Sequence, residues 1–371
     1  MTADILVRDD RGFYCPPGDF YVDPWKPVDR AIITHAHSDH ARPGHRQYLT
    51  TPEGARVLRV RMGPDARIDT LAYGRSLERN GVRLSLHPAG HVLGSAQVRI
   101  EYRGKVAVIS GDYKTEIDAT CTPFEPVRCH LFVSESTFAL PIYRWMPQAE
   151  IFADINRWWA VNGARGHSSV LLAYSLGKSQ RLLAGLEPDI GPIFVHGAVE
   201  PLNAAYRQSG IILPKTAYVA DTERSAKSAG TRPKWSGAMI VAPPSAMGTP
   251  WMRRFQPLSA AFVSGWMTIR GARRRQALDK GFVLSDHADW PGLLSAIAAT
   301  GAEQVWLTHG YSAVLARHLT ELGLDARSID THFRGEADVT ESQEPATAAS
   351  IANSSGEPHD ISEPDTEGTN E

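Results

Sequence analysis

The spacing of hydrophobic positions changes character along this chain. FYVDPWKPVDRAIIT (20 to 34) ends in a short apolar run, and GVRLSLHPAGHVLGSAQVRIEYRGKVAVISGD (81 to 112) alternates between glycine-bearing turns. Alternation at period two predicts successive strands, so this half is expected to be sheet-rich. From Pro147 the pattern shifts: AEIFADINRWWAVNGARG has helical spacing, SSVLLAYS reads as a buried strand and LGKSQRLLAGLE returns to helix. Strand-like runs follow at AMIVAPPSA (238 to 246) and SAAFVSGWM (259 to 267), and FVLSDHAD and QVWLTHG close the ordered region. The middle section therefore reads as a small parallel-sheet α/β domain inserted into the first. Beyond Arg334 the chain lacks aromatics and periodicity, and residues 335–371 are expected to form a disordered acidic tail, because such a segment cannot offset the entropy of ordering.

Composition narrows the class. The 371 residues are 42% hydrophobic and 22% charged, enough for the cores of roughly two domains. The opening MTADILVRDDRGFYCPP lacks the apolar stretch of a secretory signal, and no run of about 18 apolar residues offers a membrane span. Cys15, Cys121 and Cys129 give neither a disulfide framework nor C-x-x-C spacing, so a reducing, cytoplasmic location is expected. Net charge is −2, but the tail holds ten acidic and no basic residues, leaving 39 basic against 31 acidic residues elsewhere. That surplus suits a polyanion, with local clusters at Arg59, Arg61, Arg253, Arg254, Arg270, Arg273, Arg274 and Arg275.

The most specific chemistry lies in His35-Ala36-His37-Ser38-Asp39-His40, directly after the apolar run ending at Thr34. Alternate residues of an extended segment share a face, so His35 and His37 can chelate one cation while the turn presents Asp39 and His40 to a second. Three imidazoles and a carboxylate suit zinc and also accept manganese or iron. Further ligand types stand beside glycine at the ends of strand-like runs: His91 in PAGHVLGSA, Asp112 in VAVISGDYK and His309 in VWLTHG. Together with the first cluster they complete a two-metal set.

With these residues in view, residues 10 to 320 resemble the metallo-β-lactamase superfamily, and within it the β-CASP nucleases of DNA repair and RNA processing. The resemblance implies a four-layer αβ/βα metallo-β-lactamase domain formed by 1–140 and 286–334, carrying a β-CASP insertion at 141–285. It implies one zinc held by His35, His37 and His91, another by Asp39, His40 and His309, and Asp112 bridging both. An early strand-terminal Asp that orients the cluster best matches Asp23, although Asp19 is close by. Glu135 in LFVSEST, His287 in VLSDHAD and His309 match the β-CASP marks in order, separated by a segment of the size of the insertion. More narrowly, GFYCPPGDFYVDPWKPVDRAIITHAHSDHAR and LLAYSLGKSQRLL look like bacterial DNA-ligase-associated exonucleases.

That family implies a zinc-dependent exodeoxyribonuclease in DNA end processing, with an ATP-dependent DNA ligase or a helicase as partner. Two zinc ions would activate a water for in-line displacement, with Asp112 and Asp39 holding the catalytic metals. His287 would be the general acid at the leaving oxygen, oriented by Glu135. The plainer alternative makes Glu135 a salt-bridge partner and His287 a neighbour of a helix cap formed by Ser285 and Asp286. Lys178 in Leu176-Gly177-Lys178-Ser179 does not form an ATP loop, since Leu172 stands where its first glycine is required. At a helix start it is a candidate contact for a substrate phosphate. Trp158, Trp159, Trp251 and Trp266 are candidates for base stacking or for core packing. No role is assigned to His45, His87, His130, His167, His196, His318, His332 or His359. The rival readings are an RNA-processing nuclease of the same fold, a small-molecule ester or thioester hydrolase, and an inactive scaffold.

Overall fold

A computed structural model describes residues 4–269 and 279–333. The expected acidic tail, and Arg270, Arg273, Arg274 and Arg275, lie outside the described residues. The alternating segments do become strands. Sheet one runs in sequence order through β1 (Val7–Arg8), β2 (Phe13–Cys15), β3 (Phe20–Val22), β4 (Arg30–Ile32), β5 (Gln47–Thr50) and β6 (Ile68–Thr70). It is antiparallel to β3 and parallel from there on. A second sheet combines β7 (Ser76–Arg79), β8 (Val82–Pro88), β9 (Ala96–Tyr102), β10 (Lys105–Ile109) and β11 (Leu131–Ser136) with two late strands, β18 (Gln304–Gly310) and β19 (Asp325–Ser328), in the order 19-18-11-10-9-8-7.

All strands of the third sheet come from residues 168 to 282. They are β12 (Ser168–Leu172), β13 (Ile193–Val195), β14 (Ala217–Tyr218), β15 (Met239–Ala242), β16 (Leu258–Val263) and β17 (Lys280–Phe282), in the order 14-13-15-12-16-17 and parallel throughout. Every residue of β12 and β15 is buried, which is why these strands read as unbroken apolar runs rather than as alternations. Helix α2 (Gln148–Ala164) buries Ile151, Ile155 and Trp159, spaced four apart on one face.

Sheets one and two face each other across a core of Phe13, Val22, Ile32, Leu84, Val98, Ile109 and Val133. The other side of sheet two is covered by two helices, Trp290–Thr300 and Ser312–Glu321, through Leu293, Ile297, Leu315 and Leu319. Beyond sheet one, helix α1 (Pro52–Met62) joins the core that also holds α2 and the first residues of the third-sheet unit, among them Leu171, Leu182 and Leu183. Cys15, Cys121 and Cys129 are buried and unbridged. Among the described residues no helix is long and apolar enough to cross a membrane.

Trp159 anchors the third-sheet unit, being fully buried with its indole Nε1 donating to Gly237 O at 2.9 Å. Trp159→Ala should cost about 3–5 kcal/mol of stability, read from urea unfolding; a loss under about 1 kcal/mol would contradict this packing.

Candidate metal centre and active site

Strands β10, β11 and β18 are mutually parallel, and so are β4 and its neighbours, so their carboxyl ends lie along common edges. Open α/β sheets bind ligands at such ends. His35 to His40 follow β4, Asp112 follows β10, Glu135 lies at the end of β11, His309 lies at the end of β18, and His91 sits in the loop from β8 to β9. Gly111, at φ 57°, lets Asp112 turn inward; a Cβ there would fall 2.5 Å from Thr34 Oγ1, so no other residue permits this approach.

The structure brings the predicted ligands together around Asp112. One carboxylate oxygen, Oδ2, lies 3.4 Å from His35 Nε2 and 3.7 Å from His91 Nε2. The other, Oδ1, lies 3.4 Å from His40 Nε2 and 3.3 Å from His309 Nε2. His37 Nδ1 is 3.1 Å from His35 Nε2 and 3.0 Å from His91 Nε2. Ligand atoms of His35, His37, His91 and Asp112 all fall within 4.8 Å of one another. Asp39 lies on the opposite flank, 3.8 Å from His40 Nε2.

Hydrogen bonds on the far side of each ring fix the tautomers. His40 Nδ1 donates to Asp23 Oδ2 at 2.8 Å, His91 Nδ1 to Asp286 O at 2.8 Å, and His37 Nε2 to Leu176 O at 3.2 Å. Thr34 gives its hydroxyl proton to Asp23 and therefore accepts from His35 Nδ1 at 3.1 Å. Thr308 gives its proton to Ser134 O and accepts from His309 Nδ1 at 3.1 Å. The rings of His35, His37 and His91 then turn an unprotonated nitrogen towards the cluster around Asp112. Buried His40 Nε2 and Asp112 Oδ1 make no hydrogen bond. This donor set is of a kind that holds divalent cations.

The electrostatics agree. Burial, reinforced by neighbouring His40, brings His35 down to about 3, and burial likewise lowers His37 and His91, so these rings are neutral donors. Burial opposes ionisation of Asp112, yet His40, His309 and His35 around it hold its carboxyl well below the usual range. Burial also opposes charge on His40, but the Asp112 and Asp39 carboxylates outweigh it and raise that ring well above its ordinary value.

Asp23, rather than Asp19, orients the cluster: it accepts from Thr34 N, Thr34 Oγ1 and His40 Nδ1, whereas Asp19 pairs with Arg30 at a half-exposed position. Phe333, which sequence reasoning missed, stacks on the His40 ring at 4.3 Å. Glu135 accepts from Tyr113 N at 2.8 Å, Thr137 Oγ1 at 2.6 Å and His287 Nδ1 at 2.8 Å. Ligand atoms of Asp112, Glu135 and His287 also lie within 4.8 Å of one another. With both its oxygens already accepting hydrogen bonds, Glu135 is better placed as a holder of His287 than as a metal ligand.

Lys178 is placed differently from the expectation. It begins helix α3 (Lys178–Gly185) fully buried, with Nζ 3.5 Å from Asp286 Oδ2 and 5.1 Å from the centre of the Tyr174 ring. Its charge is directed at a buried carboxylate inside the protein, not at a substrate phosphate. Three turn-and-helix residues that the sequence did not single out share this region: Asp118, Asp286 and Arg181. Asp286 appeared only as part of a possible helix cap, and Arg181 has no motif around it beyond being one charge in the helix KSQRLLAG. Arg59, Arg61, Arg253 and Arg254 are exposed, with Arg254 paired to Glu223.

No family model matches the chain. It is 31% identical over 325 residues, 87% of its length, to a probable DNA ligase of Opitutus terrae. It is 29% identical over 194 residues, 43% of its length, to the endoribonuclease YSH1 of Yarrowia lipolytica. The chain spans less than a third of these relatives, 31% of the first and 23% of the second. Among solved structures it resembles a protein of unknown function from Enterococcus faecalis V583, with a TM-score of 0.52 and 12% identity over 75% of this chain and 74% of that one, a likeness of fold alone. The sequence similarities support the metallo-β-lactamase superfamily, and the His and Asp cluster is of the kind through which its members bind metal ions.

Removing metal with a chelator and restoring zinc to about a thousand times its Kd should raise the unfolding free energy by about 4 kcal/mol per site. Asp112→Asn should lose most of that gain. A wild-type melting curve indifferent to zinc would sink the metal centre.

Proposed function

We propose that the chain is a β-CASP nuclease: a four-layer αβ/βα metallo-β-lactamase domain (1–140 and 286–334) with a β-CASP domain inserted at 141–285. It hydrolyses phosphodiester bonds of DNA from an end, in the cytoplasm and alongside a DNA ligase. The observation that carries this reading is Asp112 set between two groups of imidazoles, with the Glu135–His287 pair alongside. Zinc ions held by His35, His37, His91, Asp39, His40, His309 and Asp112 would supply a water of lowered pKa and neutralise charge growing on the phosphate.

The remaining work falls to the chain's own side chains. Glu135 holds Nδ1 of His287, so any proton passed to a leaving oxygen passes at Nε2. The His91 and His287 ring centres are 4.8 Å apart, which sets that nitrogen's ring beside the ligand cluster. Trp145 Nε1 donates to His287 O at 2.9 Å and fixes the backbone of the same residue. The ligase relative supports DNA, and the endoribonuclease relatives support RNA as the second reading.

End-labelled DNA and RNA oligonucleotides distinguish the two. Stepwise, metal-dependent shortening of DNA is expected, and Asp112→Asn should abolish it while remaining folded. Cutting of RNA alone would transfer the reading to RNA processing, and cutting of neither would end it. His287→Ala should slow cleavage by about 10²- to 10⁴-fold with zinc content unchanged; loss of zinc instead would make His287 a ligand.

A further inference from the structure

We infer that Arg181, on helix α3 of the third-sheet unit, is a positioning residue for one half of the metal centre, the half of His35, His37 and His91, and leaves the half of Asp39, His40 and His309 unaffected. The inference rests on the two-metal reading above. Arg181 is almost completely buried and makes four contacts with segments that do not otherwise adjoin it in sequence. Nη2 donates to His91 O at 3.1 Å, and Nη1 donates to Ser285 O at 2.8 Å. Nη1 also pairs with Asp286 Oδ1 at 3.0 Å, and Nε pairs with Asp118 Oδ2 at 2.8 Å. One planar group thus ties the His91 loop to the Ser285–Asp286 segment.

That separation is the one His91 depends on, since its ring donates from Nδ1 to Asp286 O. If the two segments drift apart, the ring loses the bond that sets its tautomer and aims Nε2. The same helix start supports His37, whose Nε2 donates to Leu176 O. Gly177 allows this docking: it has φ 84°, and a Cβ there would lie 2.3 Å from Val92 Cγ1. Helix α4 (Glu200–Gln208) adds a bond from Leu93 N to the Tyr206 hydroxyl at 3.1 Å. Two of the three imidazoles on this side are therefore aimed by groups of the third-sheet unit or by the segment Arg181 clamps.

The other side has different supports. His309 leans on Thr308 and through it Ser134, and His40 on Phe333 and on Asp23, which reaches His35 as well through Thr34, all from residues 1–140 and 304–333. Contacts at this distance from a metal tune affinity by holding ligand rings in place. An arginine fits the role because its fork of donors serves two carbonyls and two carboxylates at once, which an ammonium cannot do. A mere staple between the two units would affect both halves alike or neither.

Zinc binding measured by equilibrium dialysis, with circular dichroism to establish folding, tests this without relying on turnover. Wild type should bind two equivalents. Arg181→Lys keeps the charge and removes the fork, and should weaken one equivalent by about 10- to 100-fold with the other unchanged. Asp118→Asn removes only the Nε partner and should shift the same equivalent less, which decides the matter if Arg181→Lys does not fold. Thr308→Val removes the support of His309 alone and should weaken the opposite equivalent, and adding it to Asp118→Asn should weaken both. Equal weakening of the two equivalents by Arg181→Lys or Asp118→Asn, or no change in either, overturns the inference. Fewer than two equivalents in wild type overturns the two-metal reading and the inference with it. Two equivalents without cutting of nucleic acid would overturn the nuclease alone, and the variants would still judge Arg181.

Discussion

A carboxylate out of water needs compensating charge or hydrogen bonds, and Oδ1 of the buried Asp112 carboxylate makes no hydrogen bond. Ring nitrogens surround it, and hydrogen bonds on the far side of the His35, His37 and His91 rings leave their facing nitrogens without a proton. Much of the local design serves that arrangement. Glycine at 111 admits the backbone, threonines at 34 and 308 relay protons away from the rings, and parallel strand ends bring segments from distant parts of the sequence to one point. The fold's mixed sheets make sense in this light, because antiparallel portions build the core and parallel portions supply the converging ends.

The rings are not aimed by a single set of supports. Asp23 collects Thr34 and His40 and so governs one stretch of chain from the end of β3, whereas His91 and His37 reach across to Asp286 and Leu176. Groups of the third-sheet unit thus reach residues that follow strands of the other two sheets. Helix α3 buries Lys178, Ser179, Gln180 and Arg181, a polar face. Lys178 and Arg181 meet Asp286, Asp118 and the carbonyls of His91 and Ser285, while Ser179 and Gln180 bond to Tyr174 O, Ser175 O and Asn203 within the third-sheet unit, which offsets the cost of burying them.

The sequence revealed the centre more readily than its supports. His35, His37, Asp39 and His40 share a short segment, and His91, Asp112 and His309 each stand beside glycine after an apolar run, so residue type and position sufficed. The strands β8, β9, β10, β12, β15 and β18 were also legible, since alternation or an unbroken apolar run marks each. Helix α1 was passed over although Thr51 caps it, Pro52 opens it and Arg59 and Arg61 close it; its apolar stripe is short. Of FVLSDHAD only Phe282 belongs to β17, because Ser285 and Asp286 turn inward to the His287 backbone and Arg181. Lys178 misled for a related reason. A lysine at a helix start beside glycine has the appearance of a phosphate contact, and only the position of Asp286, over a hundred residues later, shows where its charge is directed. Long-range ion pairs leave no period or spacing in a sequence.

Two charge clusters lie next to each other in the interior, and they differ in balance. Arg181 and Lys178 face Asp286 and Asp118, two positive groups against two negative ones, and burial there leaves Asp286 held below its ordinary range by Lys178 and Arg181 despite its desolvation. Lys114, paired to Glu116, adds a further buried cation beside them. Around Asp112 the carboxylates of Asp23, Asp39 and Asp112 meet imidazoles of which at least three are held neutral by burial. Fixed cations thus meet carboxylates around Asp286, whereas neutral rings meet a carboxylate around Asp112, and Arg181 joins the two clusters by donating to His91 O.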